Sequence, residues 1–228
     1  MTTANGGARE RTPKSFLLSV ELGDYLVAHG TPPDAILEGL IAETAALGPI
    51  AGMQVAPEQG AFLTILTQAL GVRDAVEVGT FTGYSALCIA RGLPPDGRLL
   101  CCDVSEEWTD VGRPYWEKAG VADRIELRIA PAVDTLNALP NEPQFDLAFI
   151  DADKPNYGNY FDALVPRMRA NGVLLIDNVL WGGNVINPDA NDDNTVAIKA
   201  FNDKAAADPR VETVMLPISD GLTMCRKR

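Results

Sequence analysis

The sequence predicts an α/β fold: a mostly parallel sheet, preceded by helices and closed by a C-terminal antiparallel hairpin. Three observations predict it. Five short, nearly continuous apolar runs alternate with segments long enough for a crossover helix, the pattern of a parallel sheet covered on both faces. Two further β-rich runs at the C-terminus are joined by Ser219-Asp220-Gly221, with the Asp-Gly pair in the turn, and read as a hairpin. The stretch before the first apolar run carries its apolar residues at helical spacing.

The elements follow in order. "LLSVELGDYLVAHG" (17–30), "DAILEGLIAETAAL" (34–47) and "PEQGAFLTILTQALG" (57–71) predict three helices. Gly30 closes the first, with Pro32-Pro33 beyond, and the third places Leu63, Leu66 and Leu70 on one face before stopping at Gly71. "DAVEVGT" (74–80), "GRLLCCDV" (97–104), "RIELRIA" (124–130), "QFDLAFIDA" (144–152) and "GVLLIDNV" (172–179) predict five strands. "RVETVMLPI" (210–218) and "LTMCRKR" (222–228) predict the hairpin. No repeat, low-complexity tract or linker divides the chain. Residues 1–228 therefore read as one domain: a flexible polar tail over 1–14, N-terminal helices over 15–71 and an α/β core over 72–228.

A chain of 228 residues with 46% hydrophobic and 22% charged residues has the composition of an ordinary globular protein. At that length it buries roughly 70–75% of its unfolded surface. Its net charge of −12 repels polyanions and argues against nucleic acid or an anionic membrane surface as the main partner. The N-terminus lacks the apolar stretch of a secretory signal, and no uninterrupted apolar run approaches the roughly 18 residues of a membrane span. A cytoplasmic location is expected. Cys88, Cys101, Cys102 and Cys225 lie in apolar stretches with neither disulfide nor zinc spacing, and read as buried free thiols. The single histidine, His29, falls at a helix end and leaves no material for a histidine-rich metal site.

Ligands of open α/β sheets bind beyond the carboxyl ends of the strands. The first strand ends in "VEVGTFTGYSALCIA", where Gly79 and Gly83 flank a strand-to-helix turn and their missing side chains would let a ligand approach the backbone. Neither a dinucleotide fingerprint nor a phosphate-binding P-loop motif is present. Glu77 stands beside the turn instead, which suits a ligand carrying positive charge. Asp103, at the end of the second strand, is placed to accept from two ribose hydroxyls. A nucleoside with a cationic, amino-acid-like tail meets both conditions, and S-adenosylmethionine is such a molecule.

"FIDADKPNY" (149–157) and "LLIDNV" (174–179) end the fourth and fifth strands in carboxylates. Neighbouring strands lie about 4.8 Å apart, so Asp151, Asp177 and Asn178 can converge on one point. Three oxygen donors without nitrogen or sulfur suit a hard cation, Mg²⁺ first, with Mn²⁺ or Ca²⁺ as substitutes. Such an ion would ease the ionisation of a phenolic hydroxyl, which costs roughly 4 kcal/mol at neutral pH. Lys154 is the candidate base, and Tyr157, Tyr160 and Trp181 are candidate walls for an aromatic acceptor. Asp153 is expected to cap or pair locally.

"EVGTFTGYSAL", "CDVSEEW", "FIDADKPNY", "LLIDNVLWGG" and "SDGLTMCRK" occur in the order seen in the cation-dependent O-methyltransferases, and over residues 15–228 the chain resembles that group of caffeoyl-coenzyme A and catechol O-methyltransferases. The resemblance implies a Rossmann-like S-adenosylmethionine methyltransferase fold with a seven-stranded sheet. It implies that Glu77, Gly79, Tyr84 and Ser85 hold the methionine part of the cofactor, that Asp103 binds the ribose, and that the backbone near Met53 borders the same pocket. Ala132 takes the adenine-side position, although relatives often read Gly-Pro-Ala where this chain reads Ala130-Pro131-Ala132. Asp151 would serve the metal, the reaction and the cofactor pocket together. A small vicinal-dihydroxy aromatic acceptor and a homodimer are implied as well. The competing readings are a non-catalytic S-adenosylmethionine-binding protein and a nucleotide-linked dehydrogenase on a similar sheet.

Overall fold

A computed structural model describes residues 15–228; the tail expected over 1–14 lies outside the described residues. Helices α1 (Val20–Ala28), α2 (Ala35–Ala45) and α3 (Pro57–Ala69) precede the sheet, with a 3-10 turn at Gly48–Met53 between the last two. The alternating part runs β1 (Asp74–Val78), α4 (Tyr84–Gly92), β2 (Arg98–Asp103), α5 (Glu106–Lys118), β3 (Ile125–Ile129), α6 (Ala132–Asn137), β4 (Phe145–Ile150), α7 (Tyr157–Leu164) and β5 (Met168–Asp177). Helix α8 (Asp193–Ala207) then leads into β6 (Val211–Leu216) and β7 (Leu222–Lys227). Helix starts follow local chemistry. Ser19, Asp34, Ser105 and Asp192 each accept a first-turn backbone N–H, satisfying donors that the helix itself cannot.

The strands form one seven-stranded sheet in the order β3-β2-β1-β4-β5-β7-β6. Strands β1 to β5 are parallel, and β7 pairs antiparallel with both β5 and β6, which is the architecture the sequence predicts. Side chains alternate between the faces and both faces are covered. Val76, Ala148 and Leu174 are buried in one layer, and Leu99, Leu147 and Leu175 in the other. Strand order reverses between β1 and β4, so the carboxyl ends of β1, β2, β4 and β5 open onto one crevice. Among the described residues no helix is long and apolar enough to cross a membrane.

Two local expectations are corrected. Strand β5 starts at Met168 rather than Gly172, because its pairing with β4 continues across a register shift between Phe145 and Leu147. Helix α3 buries Gln59, Gly60, Leu63 and Thr67, while Leu70 is 44% exposed. The reason is close helix packing: a Cβ on Gly60 would stand 2.6 Å from Cε1 of Tyr84, so small residues occupy the face against α4.

Candidate active site

A cavity of about 1190 Å³ lies over the carboxyl ends of β1, β2, β4 and β5. Five described non-glycine residues have positive φ, and four of them, Phe81, Asn178, Trp181 and Ser219, line this cavity. Such conformations cost of order 1–3 kcal/mol each and persist only where the surroundings impose them. Their concentration here marks the cavity as the functional region.

Glu77, on β1 next to the lining residues Val78 and Gly79, is itself fully buried and is not among the residues that line the cavity. Burial pushes its carboxyl up to about 7 from an ordinary 4.5. Oε2 accepts from the Cys101 thiol at 3.5 Å, and Oε1 has no hydrogen-bond partner. An orphaned carboxylate oxygen in a buried site is a receptor for a cationic group, since pairing with one removes the desolvation penalty. Tyr84 and Ser85 open α4 beside it, and Met53, Gly79, Asp103 and Ala132 line the same cavity.

The glycine turn packs closely against the rest of the protein. Gly79 has φ 91°, and a Cβ there would stand 2.0 Å from the main-chain oxygen of Asp151. Gly83 has φ 78°, and its Cβ would meet the Trp116 ring at 2.4 Å. Protein backbone and ring packing by themselves require glycine at both positions, and of the two Gly79 also lines the cavity. Asp103 shares in building this turn: Oδ2 accepts from the N–H groups of Thr80 and Phe81, both at 2.8 Å, and Oδ1 accepts from that of Ser105 at 2.8 Å. A carboxylate has about four acceptor sites, so a fourth remains for a ligand hydroxyl.

The carboxylates that end β4 and β5 gather together. Asp151, Lys154, Asp177 and Asn178 all line the cavity. Lys154 is buried, and its Nζ donates to Asp151 Oδ1 (3.2 Å), Asn178 Oδ1 (2.7 Å) and Tyr157 Oη (2.5 Å). Three acceptors match the three donors of an ammonium. Asp177 is buried and its Oδ1 has no partner; burial, then the charge of Asp151, push its carboxyl up to about 7. Among the described residues no three His, Cys, Asp or Glu side chains form a metal-binding group. The oxygen set here is two carboxylates and the amide of Asn178. Its hard donors and the orphaned Asp177 oxygen fit a Mg²⁺-like ion.

Tyr157 is not an acceptor wall. Its ring is fully buried in the core, against Phe201, and its hydroxyl supports Lys154 from beneath. Tyr160 and Trp181 do line the cavity. Tyr160 donates to Asp153, whose other oxygen takes Asn156, so Asp153 pairs locally as expected. The sequence reading missed Phe81 and Trp108, which meet edge to face at 5.4 Å on the cavity wall. It also missed Asp220, read only as part of a hairpin turn, which lines the cavity and whose Oδ1 accepts from the Gly182 N–H at 2.7 Å.

The model of the O-methyltransferase family matches residues 28–228, nearly the whole described chain. This chain belongs to the O-methyltransferase family. Within it, the methyltransferase is of the caffeoyl-CoA O-methyltransferase-like group. It is 45% identical over 185 residues to tricin synthase 2 of Oryza sativa subsp. japonica, covering 77% of this chain and 63% of that protein's length. It is 38% identical over 227 residues to the caffeoyl-CoA O-methyltransferase of Mesembryanthemum crystallinum, covering 94% and 89%. The O-methyltransferase of Bacillus cereus, whose crystal structure was solved in complex with SAH, superposes with a TM-score of 0.82 at 35% identity, over 91% of this chain and 97% of that one.

Proposed function

We propose that this methyltransferase moves the methyl group of S-adenosylmethionine to a hydroxyl of a small vicinal-dihydroxy aromatic, with a divalent cation at the acceptor end. The observation that carries this reading is the pairing of two unlike sites in one cavity. Asp103, Tyr84 and Ser85 line it together with the Asp151, Lys154, Asp177 and Asn178 cluster, and an unpaired Glu77 oxygen is buried on β1 next to the lining residues Val78 and Gly79.

Glu77 meets the positively charged amino-acid part of the donor, and Asp103 offers its remaining lone pair to the ribose. Phe81, Trp108 and Ala132 line the wall on the Asp103 side of the cavity. Asp151, Asp177 and Asn178 would hold the cation, which when bound supplies the positive charge that favours an ionised acceptor hydroxyl. Lys154 would take the hydroxyl proton as the neutral amine, after releasing one of its three N–H contacts, and the added proton restores the three-donor arrangement on Asp151, Asn178 and Tyr157. Trp181 and Tyr160 flank the acceptor ring. Methyl transfer itself then requires alignment of an oxygen with the sulfonium carbon, which a rigid cavity supplies. A homodimer belongs to the same proposal: Leu22 and Tyr25 on α1 are 58% and 62% exposed, an apolar surface that a second copy would cover.

Calorimetric titration with S-adenosylhomocysteine, with and without Mg²⁺ and with NAD as comparator, tests the donor site first. Micromolar binding of the adenosyl ligand and none of NAD is expected. Binding of NAD alone would return the dehydrogenase reading. Turnover of dihydroxy aromatics that chelator abolishes would separate the enzyme from a non-catalytic binder.

A further inference from the structure

The row of the sheet that carries Glu77 is apolar except at one neighbour. By strand register, Glu77 stands between Cys101 on β2 and Phe149 on β4, with Leu127 on β3 and Leu175 on β5 next beyond. Register partners point to the same face of a sheet, and Cys101, Phe149 and Leu175 are buried in one layer against which Leu127 packs. Within this row a single side chain has a proton to offer the carboxylate. It is the Cys101 thiol, whose Sγ lies 3.5 Å from Glu77 Oε2.

Cys101 is fully buried and, unlike Cys102, does not line the cavity, so it acts on a ligand only through another side chain. Burial, followed by the charge of Glu77, holds its thiol well above the usual range, and it therefore keeps its proton at neutral pH. A thiol is a weak donor in water, but a charged acceptor and a dry surrounding strengthen the bond. The contact makes the two carboxylate oxygens unlike. Oε2 is occupied and Oε1 has no partner. A carboxylate turns readily about its last side-chain bond, whose torsion is broad, so a fixed contact to one oxygen decides where the other points. An aliphatic side chain would fill the same row equally well, and the property that sets cysteine apart from it here is the donated proton.

We infer that Cys101 is a positioning residue of the donor site: its thiol fixes Glu77 by Oε2 and leaves Oε1 for the ammonium of S-adenosylmethionine. The inference rests on the donor-site reading above and deepens it by naming the residue that holds the recognising carboxylate. It also gives one of the four buried thiols a role beyond packing.

Calorimetry on the full chain with two ligands tests this. S-adenosylhomocysteine carries the ammonium, whereas 5′-methylthioadenosine keeps the adenosine and the thioether sulfur without the amino-acid part. Cys101→Ala removes the donor, and Cys101→Ser, close to it in size, supplies one again. Cys101→Ala should weaken S-adenosylhomocysteine binding by about three- to tenfold, the range of one ordinary hydrogen bond, and leave 5′-methylthioadenosine binding unchanged. Cys101→Ser should recover most of the loss. A merely structural role would weaken both ligands together, and that result overturns the inference. S-adenosylhomocysteine binding unchanged in Cys101→Ala overturns it too, as does Cys101→Ser binding as weakly as Cys101→Ala. Wild-type protein that binds the two ligands equally has no ammonium site, which overturns the inference and leaves an adenosyl site standing. Wild-type protein that binds neither overturns the methyltransferase reading and this inference with it. Should Cys101→Ala fold poorly, Cys101→Val fills the space without a donor and takes its place.

Discussion

The hydroxyl of Tyr157 lies 2.5 Å from Nζ of Lys154 while donating its own proton to the main-chain oxygen of Asp177 at 3.0 Å. The tyrosine oxygen can therefore only accept from the lysine, and the lysine is held as a donor to three oxygens. One buried phenol ties the end of β5 to the base on the loop after β4. Tyr157→Phe removes one acceptor of Lys154 and orphans a buried carbonyl. Denaturant titration should show a loss of roughly 1–3 kcal/mol. Turnover should fall with the S-adenosylmethionine KM little changed, because the donor end is untouched.

Lys154→Met is expected to lower kcat by about 10²–10⁴-fold, the usual contribution of a positioned base. Calorimetry should give S-adenosylhomocysteine binding close to wild type. Full turnover at neutral pH would remove Lys154 from the proton transfer.

Glu77 makes stability depend on pH in a defined direction. Burial raises its carboxyl to about 7 from 4.5, so between these values the folded chain binds more protons than the unfolded one. Stability of the ligand-free protein then falls as pH rises through that window, by roughly 3 kcal/mol for this group. Asp177, raised by burial and by Asp151, acts with the same sign. Urea midpoints measured from pH 5 to pH 8 should decline, and Glu77→Gln should remove its share of the decline. A slope identical in the variant would assign the effect elsewhere.

Asp177→Asn separates stability from function. It removes a buried carboxylate whose Oδ1 has no partner, so the ligand-free variant should melt higher than wild type at pH 8. The same change removes a hard anionic donor, so Mg²⁺ affinity should fall by at least about tenfold. Calorimetric metal titration and thermal melts read the two effects independently.

Gly79→Ala should be among the most damaging small substitutions in the chain. The new Cβ would collide with the Asp151 main-chain oxygen, and φ 91° disfavours any side chain. A loss of roughly 2–4 kcal/mol is expected, with turnover falling further because Asp151 must move. Near-wild-type stability and turnover would mean that the two strand ends are free to separate.

Much of the site was legible because its chemistry is carried by residue type at strand ends. Asp103, Asp151, Asp177 and Asn178 end apolar runs, with Glu77 one residue inside the end of β1, and a parallel sheet brings such ends to one edge whatever the surrounding detail. Tyr157 was misread because a tyrosine near an acidic motif serves equally well as a pocket wall or as a buried support. Burial decides between these, and burial of a ring depends on Phe201, which lies 44 residues further along the chain.

By itself, the sequence determined the strand and helix succession, the antiparallel ending, the net acidity and the oxygen-only donor set, all of which follow from local periodicity and residue chemistry. The tertiary structure alone decided that Gly79 packs against the main chain of Asp151. It alone showed Asp103 bracing the glycine turn and Asp220 closing over Gly182. Each of these is a contact between residues distant in the chain, and such a contact is fixed only when the sheet's pairing register brings the two backbones together.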